Sequence, residues 1–197
     1  MKIYDISQEV FSCNVFPGDP APQRTVMLNM EEGAVCNLTA ISMCAHNGTH
    51  VDAPFHFYTK GKTIDRIDMD KFIGLCYVYT KDGDLGAEEA KQVIKKAAAV
   101  DPECARRLLF RGQTTVTAQA AEVLADNHIL LVGNESQTVG PENAPREVHL
   151  ILLKEEIVLL EGIRLAQVPD GKYLLNAAPI NLGGADGAPC RAVLMEV

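Results

Sequence analysis

The sequence has no tryptophan, no Cys-x-x-Cys pair, no Gly-x-Ser-x-Gly motif and no apolar run approaching the length of a transmembrane helix. Each absence removes a class of function. Without paired cysteines the usual zinc ribbons and thioredoxin-like redox motifs are out. Without the nucleophile elbow, serine hydrolase chemistry of the α/β type has no carrier. Without a long apolar run there is no membrane-spanning helix, and no membrane partner is expected. Positive charge is also short: 18 Lys and Arg stand against 26 Asp and Glu, a net charge of −8. Phosphate backbones call for basic surfaces, so no nucleic-acid partner is expected. No internal repeat and no low-complexity linker divides the 197 residues. A single domain over residues 1–197 follows, and 47% apolar residues suffice for a sizeable core.

The six cysteines (Cys13, Cys36, Cys44, Cys76, Cys104 and Cys190) are an even number, which in a secreted chain would suggest disulfides. However, Met1 to Val10 mixes polar and apolar residues and includes two acids, unlike a signal peptide. The expectation is a cytoplasmic protein with reduced, mostly buried thiols.

Histidine is scarce as well, and its placement is informative. Three of the five histidines lie in His46-Asn47-Gly48-Thr49-His50-Val51-Asp52-Ala53-Pro54-Phe55-His56-Phe57, together with one aspartate. Imidazole is the commonest metal-binding side chain, and carboxylate joins it at zinc and at harder divalent ions. Gly48, Val51 and Pro54 argue against a helix here. In an extended segment His46, His50, Asp52 and His56 could share one side. A straight strand would still hold the first and last roughly 33 Å apart, so the chain must bend, and Gly48 and Pro54 are the natural places. His50 and Asp52 sit between the bends, adjacent on one face, as the heart of a metal site.

Elsewhere the patterns predict more strands than helices. Strands are expected at 2–10, 24–30, 34–43, 74–80, 107–110, 129–132, 157–160, 173–178 and 189–194. Helices are expected at 88–100, 118–127, with Thr115 or Thr117 as N-cap, and 145–156. Residues 61–70 and 183–187 read as loops, the first on the surface and the second flexible. His128, after the second helix, is expected to be structural rather than a ligand.

The stretch from His46 to Phe57 also carries a resemblance. It matches in full the His-x-Gly-Thr-His-x-Asp-x-Pro-x-His-Phe pattern of the cyclase-like metal-dependent hydrolases, which include bacterial kynurenine formamidases and isatin hydrolases. Further likeness lies in Pro17-Gly18-Asp19, in Leu159-Leu160-Glu161-Gly162, in Ala178-Pro179-Ile180 and in the closing Pro189-Cys190-Arg191-Ala192. Gly133-Asn134-Glu135-Ser136-Gln137-Thr138 departs from a family Gly-x-Asp-x-x-Ser, with Glu135 and Thr138 as larger variants. The sequence leaves their roles open.

The resemblance implies an α/β, swivelling β/β/α fold with a mixed β-sheet or barrel-like core and flanking helices. It implies that His149, on the last helix, and Glu161, twelve residues later, join His46, His50 and Asp52 around one or two divalent cations per subunit, zinc in the first place and manganese as the alternative. His56 is then the acid/base group rather than a ligand, and Phe16 and Asp19 lie near the substrate. A divalent cation makes hydroxide available at neutral pH, and His56 returns a proton to the leaving nitrogen. The implied reaction is hydrolysis of a C–N bond in a small amide, an aryl formamide such as N-formylkynurenine. The alternatives are another small amide, a lactam or a cyclic imide, or a metal-binding protein without catalysis. The family also implies a homodimer or larger homo-oligomer.

Overall fold

A computed structural model describes all 197 residues. Its strands are β1 (Ile3–Asp5), β2 (Gln23–Leu28), β3 (Leu38–Ser42), β4 (His50–Asp52), β5 (Ile73–Thr80), β6 (Gly83–Leu85), β7 (Arg107–Arg111), β8 (Thr114–Val116), β9 (Leu131–Asn134), β10 (Val158–Glu161), β11 (Gly171–Asn176), β12 (Gly187–Pro189) and β13 (Val193–Met195). Three helices join them: α1 (Ala87–Val100), α2 (Ala118–Asp126) and α3 (Arg146–Lys154). Nine strands form one curled mixed sheet in the order β1-β13-β11-β5-β7-β9-β10-β4-β12. The expected mixed, barrel-like sheet with flanking helices is thus the fold observed.

The centre of the sheet is parallel, from β5 through β7 and β9 to β10. Parallel neighbours need long crossovers, and α1, α2 and α3 lie in the three crossovers. Strands buried on both faces read as continuous apolar runs. Leu108-Leu109-Phe110 and Val158-Leu159-Leu160 do so, and alternate residues serve two separate cores. Leu108, Phe110, Val132 and Leu159 pack with Ala90, Val93, Ala97, Ala120, Leu124 and Leu152 under the helices. Leu109, Leu131, Val158 and Leu160 pack with Ile6, Val51 and Leu194 on the other side.

Local chemistry sets the helix ends. Thr117 caps α2 by accepting from the Ala120 amide at 3.2 Å. His128 follows that helix exposed, with φ at 54°.

Four expectations need correction. The opening strand stops at Asp5, because the Ser7 and Gln8 amides donate to side-chain oxygens, Asp5 Oδ1 and Thr49 Oγ1. The expected strand 34–43 is only Leu38–Ser42, since a turn at Met30–Glu32 and Gly33, with φ at 89°, precedes it. Residues 61–70 form two short 3-10 turns that bury Ile64 and Ile67, so they are more than a surface loop. The closing strand divides into β12 and β13, which pair at opposite ends of the sheet.

The hairpin β2–β3 stands apart. It forms its own two-stranded sheet, and every residue in both strands is exposed.

Candidate metal centre

The site grows from β4, the one strand that places His50 and Asp52 in the large sheet. β4 pairs antiparallel with β10, Glu161 opposite His50 and Leu159 opposite Asp52. Residues opposite one another point to the same face. Val51 and Leu160 therefore turn into one core, while His50, Asp52 and Glu161 face the helix side. α3 lies on that side and presents His149, one turn after Pro145.

The four groups are almost fully buried: Asp52 is 0% exposed, His50 1%, Glu161 2% and His149 3%. His50 donates Nδ1–H to the Gly48 carbonyl at 3.1 Å, and His149 donates Nδ1–H to the Pro145 carbonyl at 2.8 Å. Each bond fixes the ring and leaves Nε2 for the centre, as in the outer shells of metal-binding histidines. His50 Nε2 lies 3.4 Å from Asp52 Oδ1 and 3.5 Å from Glu161 Oε2. His149 Nε2 lies 3.5 Å from Asp52 Oδ2 and 3.3 Å from Glu161 Oε1. Glu161 Oε1 is held by the Val139 amide at 2.8 Å. Asp52 Oδ2 is buried without a hydrogen-bond partner. A buried carboxylate oxygen left in that state is costly unless a cation or donor completes it.

The two bends anticipated at Gly48 and Pro54 are both present. Gly48 has φ at 65°, a left-handed conformation that glycine adopts without strain. Pro54 opens a short 3-10 turn, Pro54–His56. The bends bring His46 and His56 together, their ring centroids 4.1 Å apart. His46 bonds Asp52 Oδ1 through Nδ1 at 2.8 Å and Asp186 Oδ2 through Nε2 at 2.9 Å. His56 Nδ1 bonds the same Asp186 oxygen at 3.1 Å. Gly187 admits His46: a Cβ there would meet the ring at 2.7 Å.

Electrostatics agree with a cation-seeking centre. Burial alone would lower the imidazole pKa values, but the acids outweigh it. Asp52 and Asp186 raise His46 to about 11, and Asp52 with Glu161 raises His50 to about 9 and His149 to about 10. The carboxyls move the other way. Burial opposes ionisation of Asp52, yet the charge of His46 and hydrogen bonds from the three imidazoles hold it well below the usual range.

Three overlapping groups have ligand atoms within 4.8 Å of one another: His46, His50 and Asp52; Asp52, His149 and Glu161; and His46, His56 and Asp186. All five expected ligands and His56 are therefore brought together, and His128 is in none of the groups. Phe16 and Asp19 both line the cavity of about 220 Å³ beside these residues, along with Phe57 and Thr138. Glu135 is tied instead to backbone, accepting from the Gly112 and Leu165 amides.

Asp186 was missed. It lies in the stretch read as a flexible loop, and an acid among glycines and alanines carries no pattern. The only local signal is its place just before Gly187 and the closing Pro-Cys-Arg-Ala.

Comparisons with known proteins converge on one family. The family model Cyclase, described as "Putative cyclase", matches residues 4–141. A kynurenine formamidase from Salinibacter ruber is 33% identical over 100% of this chain and 98% of its own. A solved structure described as a "predicted metal-dependent hydrolase" from Bacillus stearothermophilus superposes with a TM-score of 0.78 at 27% identity, covering 98% and 97% of the two chains. Isatin hydrolase A from Labrenzia aggregata shares the fold, with a TM-score of 0.80 at 20% identity over 98% and 93%. The clustered imidazoles and carboxylates, together with the structural neighbour described as a metal-dependent hydrolase, fit a divalent metal.

Proposed function

The chain belongs to the Cyclase family and is a hydrolase, and on that premise we propose that it hydrolyses an aryl formamide such as N-formylkynurenine at the cation centre described above. The observation that carries this reading is the meeting of His50, Asp52, His149 and Glu161 around the unpartnered Asp52 Oδ2, with a further imidazole, His56, alongside. The full-length relationship to kynurenine formamidases supports the substrate class.

His46, His50, Asp52, His149 and Glu161 would hold one or two divalent ions, zinc in the first place and manganese as the alternative; mixed nitrogen and oxygen donors suit both. When bound, such an ion acidifies water and withdraws electrons from a carbonyl oxygen. The chain's own groups do the rest. His56 is the catalytic acid/base. Asp186 takes its Nδ1–H and leaves Nε2 as the free nitrogen. That nitrogen accepts a proton from water as the new C–O bond forms, then gives it to the amide nitrogen as the C–N bond breaks. The products are an amine and formate. Phe16 and Phe57 supply apolar walls for an aryl ring, and Asp19 lies at the same cavity.

Metal analysis of the purified protein, joined to a screen of formamides, lactams and cyclic imides, tests this directly. Formamide cleavage that stops on chelation and returns with zinc or manganese is the expected result. Turnover of cyclic imides alone would move the substrate class, and no turnover by metal-loaded protein would remove the catalytic reading.

The exposed hairpin supports assembly into a homodimer or larger oligomer. Val26, Met27, Leu28, Met30, Val35, Leu38 and Ile41 are 40–93% exposed on an isolated two-stranded ribbon. Such a ribbon is marginal in water by itself, and apolar exposure on this scale marks an interaction surface. Elution at monomer size would remove this part. The cytoplasm remains the proposed compartment, supported by six cysteines that are all free, although only Cys76 and Cys104 are buried where most were expected to be.

A further inference from the structure

A second cavity of about 580 Å³ adjoins the metal cavity, and the two share Phe16, Gln137 and Thr138 as their common wall. Its lining is polar, with Gln113, Thr115 and Arg164 among its residues. Two features point to a ligand. First, Thr138 is 5% exposed and its Oγ1 has no hydrogen-bond partner, although it borders both cavities. Its neighbour Gln137 is fully engaged, donating to the Gly48 carbonyl and accepting from Gln8. Second, Arg164 is bonded by the protein only through Nη1, and only to carbonyl oxygens of Glu135, Gly162 and Ile163, never to a carboxylate. Its charge therefore lines the cleft without an acidic partner from the chain. Glu142 adds an acid to the same lining.

Volume separates the two spaces. Roughly 150 Å³ is enough to hold benzene, so about 220 Å³ accommodates an aryl ring and a small amide but little more. We propose that the polar cleft is a subsite for a charged arm of the substrate, an α-amino acid in chemical class, with Thr138 hydrogen-bonding that arm at the threshold. Arg164 receives the arm's carboxylate, and its ammonium lies toward Glu142. A compact lactam or cyclic imide would leave the cleft unused. This rests on the amide-hydrolase reading of the neighbouring centre.

The test compares N-formylkynurenine, which carries such an arm, with formanilide, which does not. The metal-loaded wild type is expected to show a KM for the armed substrate lower by about tenfold or more, as charge-assisted hydrogen bonds supply. Thr138→Val should cut the ratio of the two kcat/KM values by about tenfold or more, one hydrogen bond to a charged group. Thr138→Ser, which keeps the hydroxyl, should restore most of it. Equal KM values, or a ratio that Thr138→Val does not move, would overturn the proposal. If neither substrate turns over, the formamide reading fails by itself, and calorimetry still decides the cleft. Kynurenine binding more tightly than aniline, and more weakly to Thr138→Val, upholds it; equal or undetectable binding of both overturns it.

Discussion

Residues 46–56 reach the centre along one short run of backbone, whereas His149, Glu161 and Asp186 arrive from a helix, a neighbouring strand and a loop. The first group is positioned by local geometry. A left-handed glycine, a three-residue strand and a proline-led turn suffice to aim His46, His50, Asp52 and His56 at one another. The second group is positioned by sheet order. Glu161 faces His50 only because β10 and β4 are neighbours in that register, and His149 faces both only because α3 covers that side of the sheet. Asp186 arrives because β12 is the outer neighbour of β4. The contiguous half thus supplies most of the donors, and the remote half decides how far each is buried and held.

Substitutions can separate these contributions. The largest effect is expected from Asp52→Asn, at the junction of the two halves. It removes the carboxylate that helps to raise all three imidazoles, and breaking a buried charge pair typically costs about 3–5 kcal/mol. Metal content and hydrolysis should both be lost; retention of metal would show that the remote half binds it without Asp52.

Next comes His56→Ala, expected to keep its metal while hydrolysis falls by about 10²–10⁴-fold. Loss of metal in that variant would make His56 a ligand and overturn its assignment as acid/base. Asp186→Asn removes the group that orients His56 and His46. Outer partners of this kind are worth about 10–100-fold, and a similar fall in kcat with metal retained is expected. An unchanged pH–rate profile and an unchanged rate would relegate Asp186 to the loop.

A smaller effect concerns the metal-free protein. The pKa values of His50 and His149 rise from 6.5 to about 9 and about 10 on folding. A raised value means that the folded state binds protons more tightly. This stabilisation is complete below about pH 6.5 and is lost as pH climbs through 9 to 10. Thermal unfolding of chelator-treated protein should therefore fall in Tm across that window. Added zinc should flatten the fall, because the ion replaces the protons. A flat profile without metal would mean that the acids and imidazoles are less closely coupled than their distances indicate.

The smallest effect is expected at His128, outside both halves. His128→Asn keeps a residue tolerant of positive φ and should change stability by no more than about 0.5 kcal/mol, with metal content equal to wild type. Reduced metal content would place a further site near the end of α2.

The legibility of these residues differs for the same reason. The metal stretch was readable because its donors, its strand and its two bends all lie within twelve residues. His149 and Glu161 were readable only through likeness to a family, since a histidine on an apolar helix and an acid at a strand end are ordinary features. Asp186 was not readable by either route. Thr138 was noticed only as a departure from the family pattern. The hairpin's two strands were readable in the sequence, but their complete exposure was not, because residue pattern reports which faces could be buried and not whether anything covers them.

By itself the sequence determined the chemistry available: a cluster of imidazoles and a carboxylate on a bent extended segment, a chain apolar enough to bury a sizeable core, and a net charge of −8. Only the tertiary structure decided which remote acid faces which imidazole, that Asp186 braces His56, and that a polar cleft opens beside the centre. Side-chain direction within a strand is a local property of the backbone, with period two. Strand order and register are set by the packing of two cores at once, and no short stretch of residues encodes them.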